Sequence, residues 1–318
     1  MKTEINSNSG KTLIPDPRPP TPALLIVNPV SGKGRGAAIA EQVSRALREQ
    51  GLANEVLYSR SSADPGEFAR AAVRDHCPLV VGVGGDGLIS QVASELVGSD
   101  TVLGIIPAGV GNDFARGLGI PLDITQACTV LAQGQARRVD VGQANERYFF
   151  SIAAIGFATE VNRKANQFRR LRVGALYTVL TVTTVFTTEP LFFTVTCDGH
   201  ERRCYSWLIA VGNTWSCGRG MALVPAARPD DGLLDVCIVN GMGKLELLSV
   251  FPRVFRGTHI YHTGVETLRG REITVSADTP CEIYADGERI GPLPVVLKAV
   301  PQALSVMVPL SSTVGQSG

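Results

Sequence analysis

The residues best suited to chemistry sit in the stretch Val80 to Val92, VVGVGGDGLISQV. Gly82, Gly84, Gly85, Asp86 and Gly87 follow the short apolar run Leu79-Val80-Val81. After them Ile89, Val92, Ala93 and Leu96 recur at helical spacing. The pattern predicts a strand, a glycine turn and a helix. Glycines bend a loop through positive φ and let a phosphate approach backbone N–H groups. The helix behind them adds the positive end of its dipole. A carboxylate inside such a loop repels a bare phosphate. Asp86 is therefore expected to hold a divalent cation or a water beside the phosphates. Taken alone, the stretch reads equally well as an ordinary glycine-rich βα turn.

Two further loops have the same setting. The apolar run Ala23-Leu24-Leu25-Ile26-Val27 enters Asn28-Pro29-Val30-Ser31-Gly32-Lys33-Gly34, and a helix is predicted over Ala37 to Gln50. The Walker A spacing is absent, so by itself this is a plain turn with an exposed Lys. The run Val102 to Ile106 enters Pro107-Ala108-Gly109-Val110-Gly111-Asn112-Asp113-Phe114-Ala115-Arg116. Continuous apolar runs are expected of buried parallel strands. In an open α/β sheet, loops at the carboxyl ends of such strands gather where ligands bind. Glu55 to Tyr58 reads as a weaker strand, and Asp64-Pro65-Gly66-Glu67 as a helix start.

The chain of 318 residues is 44% hydrophobic and carries a net charge of +1. It has room for about two domains, and its near-neutral charge gives no support to a nucleic-acid partner. Its seven Cys show no metal-ligand spacing and read as buried thiols of a reducing cytoplasm. His259 and His262 read as a surface or satisfied pair. Residues 1–22 are polar and contain the cluster Pro15-Asp16-Pro17-Arg18-Pro19-Pro20. They are expected to be a disordered leader and no signal peptide.

Near residue 140 the texture changes, which divides the chain into an α/β part (23–140), a β-rich part (141–310) and a tail (311–318). Arg147 to Ala154 is strand-like, and Val161 to Thr188 is partly helical, with an apolar set too interrupted for a confident membrane span. Strands are expected at Leu191–Cys197, Cys204–Val211, Leu234–Val239, Glu272–Ser276, Cys281–Ala285 and Ala303–Val308. Such a run predicts an antiparallel sandwich. The last strand is allowed to return to the first part.

Taken together, Asn28 to Gly32, Gly84 to Gly87 and Leu103 to Arg116 resemble the diacylglycerol kinase catalytic family, in its soluble bacterial lipid-kinase branch. Pro229-Asp230-Asp231-Gly232-Leu233-Leu234-Asp235 and Asp286-Gly287-Glu288 extend the likeness into the second half. The resemblance implies an N-terminal open α/β nucleotide-binding domain and a C-terminal antiparallel β-sandwich for the lipid, with the active site in the cleft between them. It also implies phosphorylation of a lipid hydroxyl by ATP, with Mg²⁺. Carried over by position, Asn28, Pro29, Ser31, Gly32, Ser59, Gly84, Gly85, Asp86, Gly87, Gly109, Asn112 and Asp113 contact the nucleotide. Asp231 resembles the ligand of a structural Mg²⁺, completed by the backbone carbonyls of Arg228 and Leu233. Glu288 resembles the proton acceptor, with Asp286 beside it. Asp230-Asp231-Gly232 and Asp286-Gly287 also read as plain hairpin turns. The implied partners are a lipid alcohol and a transient membrane surface, with peripheral membrane contact from the cytoplasm. A homodimer is left open.

The chain departs from the family pattern at Leu88 and Val110, where the family has Thr, and at Ser90 and Gln91, where it has Asn and Glu. Each lost hydroxyl removes a hydrogen bond of about 0.5–1.5 kcal/mol if it faces the phosphates. Weakened or altered nucleotide handling is expected. The simplest acceptor is diacylglycerol, giving phosphatidic acid. A sphingosine-like alcohol is the runner-up, and a catalytically silent nucleotide or lipid sensor is the competing class.

Overall fold

The computed structural model describes residues 22–157, 159–161 and 182–310. The leader, most of the stretch Val161 to Thr188 and the tail 311–318 lie outside them.

Four apolar runs form parallel strands, β1 (Ala23–Val27), β2 (Asn54–Tyr58), β3 (Leu79–Gly84) and β4 (Val102–Pro107). Their order in the sheet is β2-β1-β3-β4. All six residues of β3 are buried, as a strand covered on both faces requires. Helices α1 (Ser31–Gly34), α2 (Gly36–Glu49), α3 (Asp64–Arg74), α4 (Asp86–Leu96), α5 (Asp113–Gly117) and α6 (Ile124–Gln133) complete this half. Helix α2 turns Ile39, Val43 and Leu47 inward, spaced four apart on one face. The sequence reading gave no account of α6. Its start is marked by the side chain of Asp123, which accepts the N–H of Gln126 at 3.0 Å.

The chain then turns to antiparallel strands. These are β5 (Gln135–Ala144), β6 (Arg147–Phe149), β7 (Ile152–Gly156), β8 (Leu191–Cys197), β9 (His200–Gly212), β10 (Ser216–Cys217), β11 (Met221–Ala222), β12 (Leu234–Asn240), β13 (Val265–Gly270), β14 (Glu272–Ala277), β15 (Glu282–Ala285), β16 (Glu288–Pro292) and β17 (Val295–Val308). The first half of β9 pairs with β8, and its second half lies between β7 and β12. This strand passes from one layer to the other. Phe193, Val195, Ile273, Val275 and Leu297 of one layer meet Ile155, Ile209, Val236 and Ile238 of the other in one apolar core. The architecture is an α/β half followed by a β-sandwich. Strand β17 belongs to both: Val295 to Lys298 pair with β14, and Leu304 to Val308 pair with β5. Val306 also lies in parallel register with Leu103 of β4.

Two readings change. The strand expected over Arg147 to Ala154 is broken at Phe150-Ser151, where the backbone N–H groups turn to a side chain, described below. The last strand starts at Val295 instead of Ala303. Of the two alternatives for His259, surface or satisfied, the structure has the second: it is buried and donates from Nε2 to the carbonyl of Leu223 at 3.1 Å. The seven thiols are all free; five are buried, and Cys217 and Cys281 are partly exposed. Among the described residues no helix is long and apolar enough to cross a membrane.

Candidate active site

The strand order places β2 and β3 on opposite sides of β1, so the chain changes direction between the carboxyl ends of β1 and β3. A crevice opens at such a switch point. Asn28, Pro29, Ser31 and Gly32 follow β1 directly. Asn28 accepts the Val30 N–H through Oδ1 at 3.1 Å, and its carbonyl accepts the Ser31 N–H at 3.0 Å. Ser31 Oγ is buried without a partner. Ser59, at the end of β2, donates its N–H to Val27 at 2.9 Å and so stands at the same edge.

The β3–α4 and β4–α5 loops lie one on the other. A Cβ on Gly85 would come 3.1 Å from the Cα of Gly109. The N–H of Ala108 donates to Gly84 at 2.8 Å. Asn112 adopts φ +54° and bonds back to Gly109, accepting its N–H at 2.9 Å and donating to its carbonyl at 3.2 Å. Asp86 opens α4, and its carboxylate accepts the N–H groups of Asn112 and Asp113 at 2.7 and 2.6 Å. Burial raises its pKa first, and the charge of Asp113 adds to that. Gly111 separates the two acids; a methyl there would meet Asp86 at 2.6 Å and Asp113 at 2.9 Å.

Asp113 reaches across to the second half. It accepts from Ser216 Oγ at 2.7 Å and from the N–H groups of Arg219 and Gly220 at 3.1 Å, all in the β10–β11 hairpin. Asp286 closes the group from the β15–β16 hairpin. Asp286 and Gly287 both have positive φ, +48° and +82°, as a two-residue I′ turn needs. The Asp286 carboxylate accepts the N–H groups of Phe150, Ser151 and Ile152 at 2.7, 2.9 and 3.3 Å. Ser90, one turn along α4 from Asp86, donates to it at 3.4 Å. Burial pushes its pKa up to about 6, against the pull of those N–H groups. Cys217 marks the convergence: burial raises its thiol pKa, and the charges of Asp113, Asp286 and Asp86 raise it further. Glu288 is exposed at the start of β16, where its backbone pairs with Ala285, and its side chain makes no hydrogen bond or ion pair among the described residues.

The comparisons bear on the two halves of the chain. Residues 22–144 match the diacylglycerol kinase catalytic domain, and residues 151–308 match the YegS C-terminal NAD kinase beta sandwich-like domain. A diacylglycerol kinase of Mycobacterium tuberculosis (strain ATCC 25618 / H37Rv) is 34% identical over 292 residues, covering 89% of this chain and 94% of that protein. The chain belongs to the diacylglycerol kinase catalytic family. A diacylglycerol kinase of Bacillus subtilis (strain 168) is 30% identical over 276 residues, covering 86% and 91%. A diacylglycerol kinase crystal structure from Bacillus anthracis str. Sterne superposes with a TM-score of 0.72 at 20% identity, over 91% of this chain and 97% of that one; at that identity it speaks for the fold. This member is accordingly an ATP-dependent lipid kinase, a phosphotransferase with an alcohol as acceptor.

Seen as a diacylglycerol kinase family member, its two missing Thr residues have different consequences. Leu88 is 7% exposed and packs under Gly82 and Gly84 in the core. Val110 is 52% exposed on the loop that carries Asn112 and Asp113. Leu88 thus trades a hydroxyl for core packing, whereas Val110 alters the open side of the site.

A second group of acids lies against β17. A cleft of about 390 Å³ is lined by Asp140, Asp230, Asp231, Gly232 and Gln302, among others. Asp231 accepts the Leu233 N–H at 3.1 Å and pairs with Arg269. Burial raises its pKa and Arg269 opposes that. Arg228 pairs through its side chain with Asp230 at 3.1 Å. Sequence reasoning missed Asp140, which is buried and accepts the N–H groups of Gly232 at 2.6 Å and Gln302 at 2.8 Å. Its signal was an acid flanked by Val139 and Val141. The β10–β11 hairpin was missed as well; Gly218-Arg219-Gly220 was its signal.

Proposed function

We propose that this lipid kinase moves the γ-phosphate of ATP to the free hydroxyl of diacylglycerol, giving phosphatidic acid. The observation that carries the reading is the chain of contacts joining acids from both halves at the carboxyl edge of the parallel strands: Asp86 accepts the Asp113 N–H, Asp113 accepts from Ser216, and Ser90 of α4 donates to Asp286. In this proposal residues 23–140 bind the nucleotide and residues 141–310 bind the lipid.

The nucleotide is assigned to Asn28, Pro29, Ser31, Gly32, Ser59, Gly84, Gly85, Asp86, Gly87, Gly109, Asn112 and Asp113. The buried, unpartnered Ser31 Oγ supports that assignment, as does Gly87, whose missing side chain leaves open space over the start of α4. Phosphoryl transfer depends on positioning and charge neutralisation. As the lipid oxygen bonds to the γ-phosphorus and the bond to ADP breaks, the hydroxyl proton needs an acceptor. Glu288 is assigned that role because its carboxylate is unengaged. Asp286, already bonded to three N–H groups, holds the turn that carries Glu288.

Magnesium is assigned to Asp231 with the backbone carbonyls of Arg228 and Leu233. This donor set is all oxygen, as a hard cation prefers. Among the described residues no three His, Cys, Asp or Glu side chains converge as a metal cluster, so such a site draws on carbonyls. When bound, the ion supplies positive charge to an acid group that Arg137, Arg228 and Arg269 now neutralise. The seven free thiols suit a cytoplasmic protein that visits the membrane reversibly. A homodimer would have the free edge of β2 available, and sedimentation velocity tests it.

The deciding assay incubates the protein with labelled ATP, Mg²⁺ and a panel of lipid alcohols. Labelled phosphatidic acid from diacylglycerol is the expected result. Preferential labelling of sphingosine-like alcohols would move the acceptor assignment. Retained ATP binding with no labelled lipid would make the protein a sensor.

A further inference from the structure

The chain between β12 and β13 forms a helical strap across the sandwich. It comprises a short helix, Lys244–Val250, and two 3₁₀ turns, Phe251–Arg256 and Thr258–Tyr261. Its inner side is fixed. Val250, Val254 and His259 are buried, and Gly257, at φ +66°, lies against Pro225 and Ala222. Ala222 belongs to the β10–β11 hairpin whose tip holds Asp113.

The outer side combines exposed apolar and basic side chains. Side chains three apart eclipse on a 3₁₀ turn. Pro252 and Phe255 therefore form one exposed ridge and Arg253 and Arg256 another beside it. Phe255 is 56% exposed, and Tyr261 and Leu245 on the flanking turns are 82% and 76% exposed. Neither Arg253 nor Arg256 forms an ion pair among the described residues, and the 3₁₀ turns contain no acid. The one acid of the strap, Glu246, stands 3.6 Å from His262.

We infer that this strap is the surface by which the kinase docks on an anionic bilayer. Phe255, Tyr261 and Leu245 enter the headgroup boundary, while Arg253 and Arg256 meet lipid phosphates. Aromatic and basic side chains side by side suit that boundary. The inference rests on the lipid-kinase reading, because a lipid substrate supplies the reason for docking. The strap's contact with the β10–β11 hairpin sets the bilayer beside the acids that would receive the alcohol.

The test uses the full chain and sedimentation with phosphatidylcholine vesicles, with and without phosphatidylglycerol. Wild type sediments with the anionic vesicles, and added salt releases it. R253Q/R256Q weakens binding about fivefold for each charge removed. F255S/Y261S weakens it on both kinds of vesicle. Both pairs are exposed, so melting temperatures hold. Turnover of diacylglycerol in bilayers falls in both variants, while turnover of dispersed dihexanoylglycerol stays at the wild-type level. Sedimentation equal to wild type in both variants overturns the inference. So does a dimer that these substitutions dissociate, since the face then belongs to a second copy. Wild type that phosphorylates neither acceptor refutes the lipid-kinase reading alone, and sedimentation still judges the strap.

Discussion

Gly85 and Gly109 touch backbone to backbone at the carboxyl edge of the parallel strands. A methyl on Gly109 overlaps the Cα of Gly85 and also crowds Asn112 Oδ1, at 2.7 Å. Gly109→Ala should cost about 1–3 kcal/mol, as overpacking does, and displace Asp113. Gly87 is the opposite case, since a methyl there meets nothing within 4 Å. Gly87→Ala should raise stability by up to about 1 kcal/mol through helix propensity, yet weaken ATP binding. Thermal melts and a nucleotide-binding titration on both variants check this; equal ATP affinity in Gly87→Ala and wild type would remove Gly87 from the site.

Burial pushes the pKa of Asp286 up to about 6 in the folded chain, above the ordinary carboxylate range it has when unfolded. The folded state binds the proton more tightly, so this contribution to stability is complete below the unfolded value. It is lost as pH rises through about 6. The melting temperature of wild type relative to Asp286→Asn should therefore fall over that interval. Activity should move the other way, rising through the same inflection as the carboxylate ionises and accepts its three N–H groups. A pH–rate profile with no acid limb there would contradict this.

Glu288→Gln should lower kcat about 10²–10⁴-fold, the usual worth of a positioned base. KM for ATP and the melting temperature should hold, because the side chain is exposed and unbonded. Steady-state kinetics and a melt suffice. Unchanged kcat would transfer the role elsewhere.

Arg269 now occupies the carboxylate that magnesium is proposed to use. Arg269→Gln should tighten Mg²⁺ binding, and Asp231→Asn should abolish it. Titrating MgCl₂ without nucleotide and following the melting temperature reads both, since binding to the folded state raises it. Mg²⁺ responses that neither substitution changes would move the ion to another site.

His259 is buried, and desolvation lowers its pKa below 6.5. The unfolded chain then binds the proton first as pH falls. The stability this group contributes is complete above 6.5 and lost below it. The melting temperature of His259→Gln should depend less on pH than that of wild type between about pH 7 and pH 5. Identical slopes would show that His259 leaves its cavity freely.

The parallel strands were legible because burial on both faces leaves unbroken apolar runs, as in Leu79 to Val83. The glycine and acid loops were legible because a turn beside a ligand narrows the choice of residue. The partners of the acids were not. Asp86 faces the backbone of Asn112 and Asp113, and Asp113 faces that of Arg219 and Gly220. Backbone N–H groups leave no mark on residue type. The β10–β11 hairpin has two residues in each strand, too few for any period to appear. The break at Phe150-Ser151 was hidden for a related reason: apolar residues flank it on both sides, and only a distant carboxylate reveals it.

Strand β17 pairs at one end with the sandwich and at the other with the α/β half. Swinging the halves apart would tear a ladder that both require. The two halves are tied through this one strand, with the register break between Val300 and Leu304 lying between their pairings. Removing the final nine residues of that strand would strip the α/β half of its Leu304 to Val308 ladder while leaving the Val295 to Lys298 pairing with β14 in place.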